Sequence, residues 1–269
     1  MRGMPRLPDY HIHTYLCKHA EGSPSDYLDE ATKKGLLEIC FCDHMPSFGG
    51  YDPKHRMEAG EFQRYLDLVE GIREVSSMPV LLGMEADYYE GCEPLVEKLT
   101  SYAGFDLILG SVHFLNGWGF DDPEQLPVWK LVDLEETWER YFSLLERLVK
   151  TGLFDAVAHL DLPKKFGHRL KTQELLSMAS PVLDLMAQKG VAMEINTSGL
   201  RKPVSEVYPS FELIKMARER EIPVLFGSDA HRPEEVGHAF QDALRLIKEA
   251  GYSEYALFRR REMTLVPLP

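Results

Sequence analysis

Short runs rich in Val, Ile, Leu and Phe recur along the chain, separated by longer stretches in which apolar residues return every three or four positions. The short runs predict buried strands near residues 9–13, 36–42, 80–86, 106–112, 154–159, 190–196 and 222–228. The longer stretches predict amphipathic helices within 58–76, 133–150, 172–188, 209–220 and 234–249. One more helix is read from its ends: "SPSDYLDEATKKG" offers Ser23 as N-cap, Pro24 at the first helical position and Gly35 just past the last turn. No linker or low-complexity tract interrupts this alternation. The pattern therefore predicts one α/β domain spanning residues 1–269 with seven parallel strands, and by itself it suits a closed barrel as well as a doubly wound open sheet.

The polar residues at the strand ends separate those two architectures. The first strand carries His11 and His13, with His19 close behind in "DYHIHTYLCKH". The second ends in Asp43 and His44, the third in Glu85, the fourth in His113, and the fifth in His159 and Asp161. The sixth carries Glu194 and Asn196, and the seventh closes with Asp229 and His231. In an open sheet these ends spread along a line, whereas in a closed barrel they converge on one rim, where barrel active sites lie. Residues two apart on a strand share a face, so His11 with His13, and Asp229 with His231, can each grip one ion. Neutral imidazoles suit Zn, Mn or Fe. A lone His113 or His159 reads as a hydrogen-bonded core histidine, but seven histidines at rim positions beside Glu85 and Asp229 point to bound metal. His55 and His238, the latter expected inside the last helix, read as solvated or as neighbours of the ligands.

Composition narrows the function classes. The net charge of −13 leaves no basic stripe for nucleic acid. No apolar run is long enough to cross a bilayer, the N-terminal "MRGMPRLP" has no apolar signal core, and four cysteines without a C-x-x-C pair suggest reduced thiols in a cytoplasmic protein. Cys40 and Cys42 alternate within a predicted strand and read as small core residues. The pattern leaves oligomeric state open, a homo-oligomer included.

In their order along the chain, "DYHIHTYLCKHAEG", "CDHMP", "GMEAD", "GSVHF", "HLDLPKKFGHR" and "GSDAHRPEEVG" resemble the polymerase-and-histidinol-phosphatase (PHP) superfamily of metal-dependent phosphoesterases. "HLDLPKKFGHR" and "NTSGLRKP" are similar to its histidinol-phosphatase branch. The resemblance covers essentially the whole chain and implies a distorted (β/α)7 TIM-like barrel holding up to three divalent ions. It implies His11, His13, Glu85 and Asp229 as ligands of one ion, Glu85, His113 and His159 of a second, and His19, His44 and His231 of a third. The implied reaction is hydrolysis of L-histidinol phosphate in histidine biosynthesis.

The residues suit such chemistry. A hydroxide bridging two ions would attack phosphorus in line with the leaving alkoxide, and one carboxylate, Glu85, can give an oxygen to each ion. Glu85 and Asp229 are thus candidate catalytic residues, and Asp161 is a candidate proton donor to the alkoxide. Asp9 is a candidate orienter of a ligand imidazole. Lys164, Lys165, His168, Arg169 and Arg201 follow the fifth and sixth strands and are candidate phosphate contacts. Four rivals stand beside this reading: a phosphoesterase for another small monoester, an amidohydrolase, which would usually bridge its ions with a modified lysine, a nuclease like the barrel modules attached to DNA polymerases, which the acidic chain disfavours, and a non-catalytic metal-binding barrel.

Overall fold

A computed structural model describes residues 6–269; the first part of the N-terminal segment judged above for a signal core lies outside the described residues. The barrel strands are β1 (Asp9–Ile12), β2 (Ile39–Phe41), β3 (Val80–Asp87), β4 (Leu107–Ser111), β7 (Ala156–Val157), β8 (Ala192–Asn196) and β9 (Val224–Gly227). They pair in that order, all parallel. The ring closes where His13 N donates to Ala230 O at 3.0 Å and Ala230 N to His11 O at 3.2 Å. First and last strands become neighbours only by closure, so the sheet is a seven-stranded barrel, the architecture that the converging strand ends favoured.

Around it lie α1 (Pro24–Lys34), α2 (Phe62–Val75), α3 (Glu93–Tyr102), α4 (Leu134–Thr151), α5 (Thr172–Lys189), α6 (Phe211–Glu219) and α7 (Phe240–Glu249). In α1 the expected signals act as expected. Asp26 Oδ2 accepts from Ser23 N at 2.7 Å, Pro24 opens the first turn, and Gly35 ends the helix in the left-handed region at φ 68°. The last helix is shorter than its sequence pattern. Gly237 (φ 60°) and Ala239 (φ 55°) turn the chain before it, which leaves His238 outside the helix.

Strict alternation on β3 divides two cores. Val80, Leu82, Met84 and Ala86 pack outward against helices, while Leu81, Gly83, Glu85 and Asp87 fall on the interior side. Cys40 and Cys42 fill the lower interior with Leu107, Leu109 and Leu225, as small core residues do. The interior is therefore apolar below and carboxylate- and imidazole-lined above. On β1 the register shifts between Asp9 and Ile12, a bulge that lets Tyr10 join the lower interior core while His11 turns toward the upper one.

Two small hairpins were not expected. β5 (Phe114–Leu115) and β6 (Trp118–Gly119) turn at Asn116–Gly117, and β10 (Glu254–Arg259) and β11 (Glu262–Pro267) turn at Arg260–Arg261. The second hairpin caps the barrel floor. Phe258, 2% exposed, sets its ring edge-on to Tyr10 at 6.1 Å, and Arg259 pairs with Glu38. Removing that ring leaves a void against the floor, so Phe258→Ala is expected to destabilise the fold by about 3 kcal/mol in urea unfolding. A change below about 1 kcal/mol would show that the hairpin does not seal the core.

Candidate metal centre

Every strand end delivers its polar residue to the upper interior, and Glu85 stands at the middle. Its Oε2 lies 3.4 Å from His11 Nε2, 3.7 Å from His13 Nε2 and 2.7 Å from His44 Nδ1. Its Oε1 lies 2.9 Å from His159 Nε2 and 3.5 Å from His113 Nε2. The two oxygens of one carboxylate thus serve two different sets of imidazoles. Asp229 Oδ1 completes the first set, 3.3 Å from His13 Nε2 and 3.9 Å from His11 Nε2. His19, His44 and His231 present nitrogens to one another in a third group, and the rings of His13 and His231 stack at 4.1 Å. The nine residues singled out as ligands therefore meet in one basin.

A cluster of this kind without ions would be poorly satisfied. His11 Nε2, His13 Nε2, His44 Nδ1, His231 Nε2 and Glu85 Oε2 are buried with no hydrogen-bond partner among the described residues; the short His44–Glu85 approach is too poorly aligned to be one. Orphaned lone pairs facing a common point are costly unless something electrophilic accepts them. Ligand atoms about 2.1 Å from a shared ion stand roughly 3–3.5 Å apart, which matches much of this spacing. The donor set fits divalent cations.

The far side of several rings is fixed. His11 Nδ1 meets Glu194 Oε1 at 2.6 Å, His113 Nδ1 meets Asp87 Oδ1 at 2.6 Å, and His13 Nδ1 meets Asp43 Oδ1 at 3.4 Å. His19 and His231 use the carbonyls of Cys17 and Asp229, at 2.8 and 3.0 Å. Such partners fix the tautomer, leaving the other nitrogen's lone pair for an ion. Glu194 reaches His11 only because residue 227 is glycine: a Cβ there would lie 2.0 Å from Glu194 Oε1. Asp87 is braced in turn by buried Arg56 and by the Tyr51 hydroxyl, both at 2.6 Å. Asp43 and Glu194 stand among the polar strand-end residues that the sequence points to, but their role behind the rings follows only from the structure, and Asp87, two residues from Glu85 on the same strand face, carries a pattern that could have marked it.

Two ligand candidates sit in unusual backbone: His159 at φ 27° and Asp229 at φ 52°. Non-glycine residues in this region are strained and persist where the surrounding structure holds them.

Other expectations are corrected. Asp9 touches no imidazole; its carboxylate accepts the amides of Ser228 at 2.9 Å, Gly237 at 2.8 Å and His11 at 3.3 Å, tying β1 to the loop after β9. Asp161 is fully buried, and its Oδ2 pairs with Lys164 Nζ and accepts from Ser210 N, both at 2.9 Å, so that oxygen anchors the 162–166 turn, while Oδ1 has no hydrogen-bond partner among the described residues. Lys164 is no free clamp, because Asp161, Glu206 and the Val207 carbonyl engage its ammonium. His168 stacks on Trp129 at 4.1 Å, and Arg169 pairs with Glu206 at 2.6 Å; both brace their loop. Lys165 lies at the mouth, held by Asp121 at 3.0 Å. Arg201 donates to the carbonyls of Ser228 (2.8 Å) and Asp229 (3.2 Å). His55 is half-buried, bonded to Asp52 at 2.8 Å, its ring edge-on to His19 at 5.3 Å. A cleft of about 780 Å³ opens beside it between Tyr51, Tyr89 and Phe114, outside the ring of histidines.

This barrel, with a histidine and carboxylate basin at the C-terminal rim, defines a metal-dependent hydrolase of the PHP type. Residues 9–198 match the PHP domain and residues 212–242 a PHP-associated segment, and the chain belongs to the PHP family. It is similar to the probable histidinol-phosphatase of Deinococcus radiodurans, 42% identical over 262 residues that cover 97% of this chain and 99% of that one. The histidinol-phosphatase of Bacillus subtilis is 29% identical over 259 residues, 87% of this chain and 96% of that one. A crystal structure of histidinol phosphate phosphatase from Lactococcus lactis, complexed with zinc, L-histidinol and phosphate, has the same fold, with a TM-score of 0.80 over 96% of this chain and 99% of that chain at 22% identity.

Protonation couples to ion uptake. Burial, with the neighbouring His44 and His13, pushes His19 down to about 3, and burial pushes His44 down to about 4 against the pull of Glu85. Both shifts favour the neutral ring that ligation would need. Burial also opposes a charge on His113, yet the carboxylates of Asp87 and Glu85 outweigh it and hold the ring up at about 10. A ring raised above its ordinary value carries a proton at neutral pH in the ion-free chain, and a ligating nitrogen cannot keep it. Zinc binding is therefore expected to release about one proton or more per chain at neutral pH and to tighten from about pH 6 to about pH 9. Calorimetric titration in two buffers of different ionisation enthalpy measures this; an uptake with no proton release would contradict it.

Proposed function

We propose that this chain hydrolyses L-histidinol phosphate to L-histidinol and phosphate, the phosphatase step of histidine biosynthesis. The observation that carries the reading is the division of Glu85, one carboxylate oxygen toward His11 and His13 and the other toward His113 and His159. The 42% identity to the Deinococcus protein, end to end, supports the choice of substrate within the family.

His11, His13, Glu85 and Asp229 would hold one ion, Glu85, His113 and His159 a second, and His19, His44 and His231 a third. Zinc, manganese and iron all suit this mixed nitrogen and oxygen set. Bound divalent ions supply Lewis acidity toward phosphoryl oxygens and make water a usable nucleophile near neutral pH. The chain's own part is geometric and electrostatic. Glu194, Asp43 and Asp87 keep the ligand rings in place, and Arg201 holds the carbonyl of Asp229, so that residue's carboxylate stays beside His13. Asp229 also accepts from the Ser198 hydroxyl at 3.0 Å. The apolar lower core closes the floor of the basin and keeps water from that side.

The rival readings lose ground on the same side chains. An amidohydrolase of the usual kind bridges its ions with a modified lysine, and here Glu85 would take that role. A cytoplasmic setting belongs to this proposal: all four cysteines are buried and unpaired, and no helix among the described residues is long and apolar enough to cross a membrane.

Phosphate release from L-histidinol phosphate, compared with several other monoesters before and after chelation, tests the reading. Histidinol phosphate is expected to be preferred by about tenfold or more in kcat/KM, and chelation to abolish turnover until divalent metal is restored. Equal rates on all monoesters would remove the histidine-pathway assignment, and turnover unaffected by chelation would remove the metal mechanism.

A further inference from the structure

Among the described residues, the cations around the barrel mouth already have counter-ions, with one exception. Lys164 is engaged by Asp161 and Glu206, Lys165 by Asp121, Arg169 by Glu206, Arg201 by Glu235 and Arg232 by Glu21. The charged groups around the neighbouring cleft are likewise paired, Lys54 with Glu124, Arg140 with Glu90 and His55 with Asp52. Lys202 differs. Its backbone is fixed at the end of the Ser198–Arg201 turn, the amide donating to Gly199 O at 3.1 Å and the carbonyl accepting from Ser205 N at 2.9 Å. Its ammonium, however, makes neither an ion pair nor a hydrogen bond among the described residues, although the side chain is half-buried.

The surroundings sharpen the contrast. The charged groups facing Lys202 are Lys165 and Arg201 on the cationic side and Asp229 and Glu235 on the anionic side, none of the latter close enough to pair. Glu235 already serves Arg201 and the His231 amide, and Asp229 faces His11 and His13. Burial, then the two cations, push the ammonium below its usual range. An ammonium taken part-way out of water, beside like charges and without a partner, is held at a free-energy cost that an incoming anion removes. The turn that ends at Lys202 packs on Asp229 through Ser198 and Arg201, at 3.0 and 3.2 Å, which sets this lysine at the edge of the metal basin.

We propose that Lys202 is a substrate-binding residue that donates a charge-assisted hydrogen bond to a terminal oxygen of the phosphoryl group. It would do what was first expected of Lys164, whose ammonium is fully engaged inside the protein. Lys165 and Arg201, each partly neutralised, shape the positive field around it. The bond exists in substrate and in the product phosphate alike, so its loss should weaken the binding of both more than it slows the chemical step. This inference rests on the phosphatase reading and deepens it by naming the group that holds the substrate's phosphate.

The test uses the metal-loaded protein with Lys202→Met and Lys202→Arg. Two quantities are read: stabilisation of each variant against heat by inorganic phosphate, which gives a phosphate affinity without turnover, and the KM and kcat for histidinol phosphate. Lys202→Met is expected to weaken phosphate binding and raise KM by about tenfold or more, with a smaller change in kcat and an unchanged metal content, while Lys202→Arg recovers most of the loss. Phosphate affinity within twofold of wild type in the Met variant would overturn the proposal, as would a loss that follows metal content alone. If the Met variant does not fold, Lys202→Gln is read by the same criteria. Should the wild-type protein fail to hydrolyse histidinol phosphate, the functional reading falls, and the phosphate affinities still decide the role of Lys202.

Discussion

The structure depends on a single carboxylate that faces two ways. Glu85 is 1% exposed and stands with its oxygens toward two groups of imidazoles, an arrangement in which burial opposes the charge while His44, His11 and His113 hold the carboxyl well below its usual range. Such a group is stable only if the positive charge around it is maintained. Bound cations provide that charge without requiring the surrounding histidines to be protonated, and neutral histidines are what ligation needs. Apolar packing in the lower barrel and polar convergence in the upper barrel are two halves of one arrangement, the first forming the floor of the second.

Several features far apart in sequence serve this one point. Closure of the ring sets β1 against the chain just after β9, and only then do His11 and His13 meet Asp229. The bulge in β1 turns His11 inward, and the bare Cα of Gly227 leaves room for Glu194 behind that ring. His159 and Asp229 accept left-handed backbone, a strain that a packed and hydrogen-bonded rim can hold. Arg56 stands further out yet belongs to the same chain of contacts, through Asp87 to His113 and from there to Glu85.

The parts of this design that follow from periodicity were legible in the chain. Buried parallel strands are short and apolar, and their ends show as a step from Val, Ile and Leu to His, Asp and Glu, so all seven barrel strands and the meeting of the nine polar residues could be anticipated. What stayed hidden depends on geometry between distant segments. Asp161 and Lys164 look like rim chemistry in sequence, but each is the other's partner beneath a turn, which no spacing reveals. Lys202 was passed over beside Arg201 because only the fold shows which of several neighbouring cations has been left without a carboxylate. The floor hairpin was concealed by its turn, since Arg260 (φ 50°) and Arg261 (φ 66°) occupy positions where Asn and Gly are the usual signal. The helix Glu93–Tyr102 carried an ordinary amphipathic pattern, with Pro94 in its first turn, and was simply not singled out.

The central claim is that one side chain serves more than one ion, and the metal content of a Glu85→Gln variant measures this most directly. Wild-type and variant protein, loaded with zinc and dialysed side by side, would be compared by elemental analysis alongside circular dichroism to establish that both are folded. A shared carboxylate predicts that the folded variant loses more than one ion per chain relative to wild type. Retention of the full complement, or loss of a single ion with the others bound as tightly as before, would contradict it.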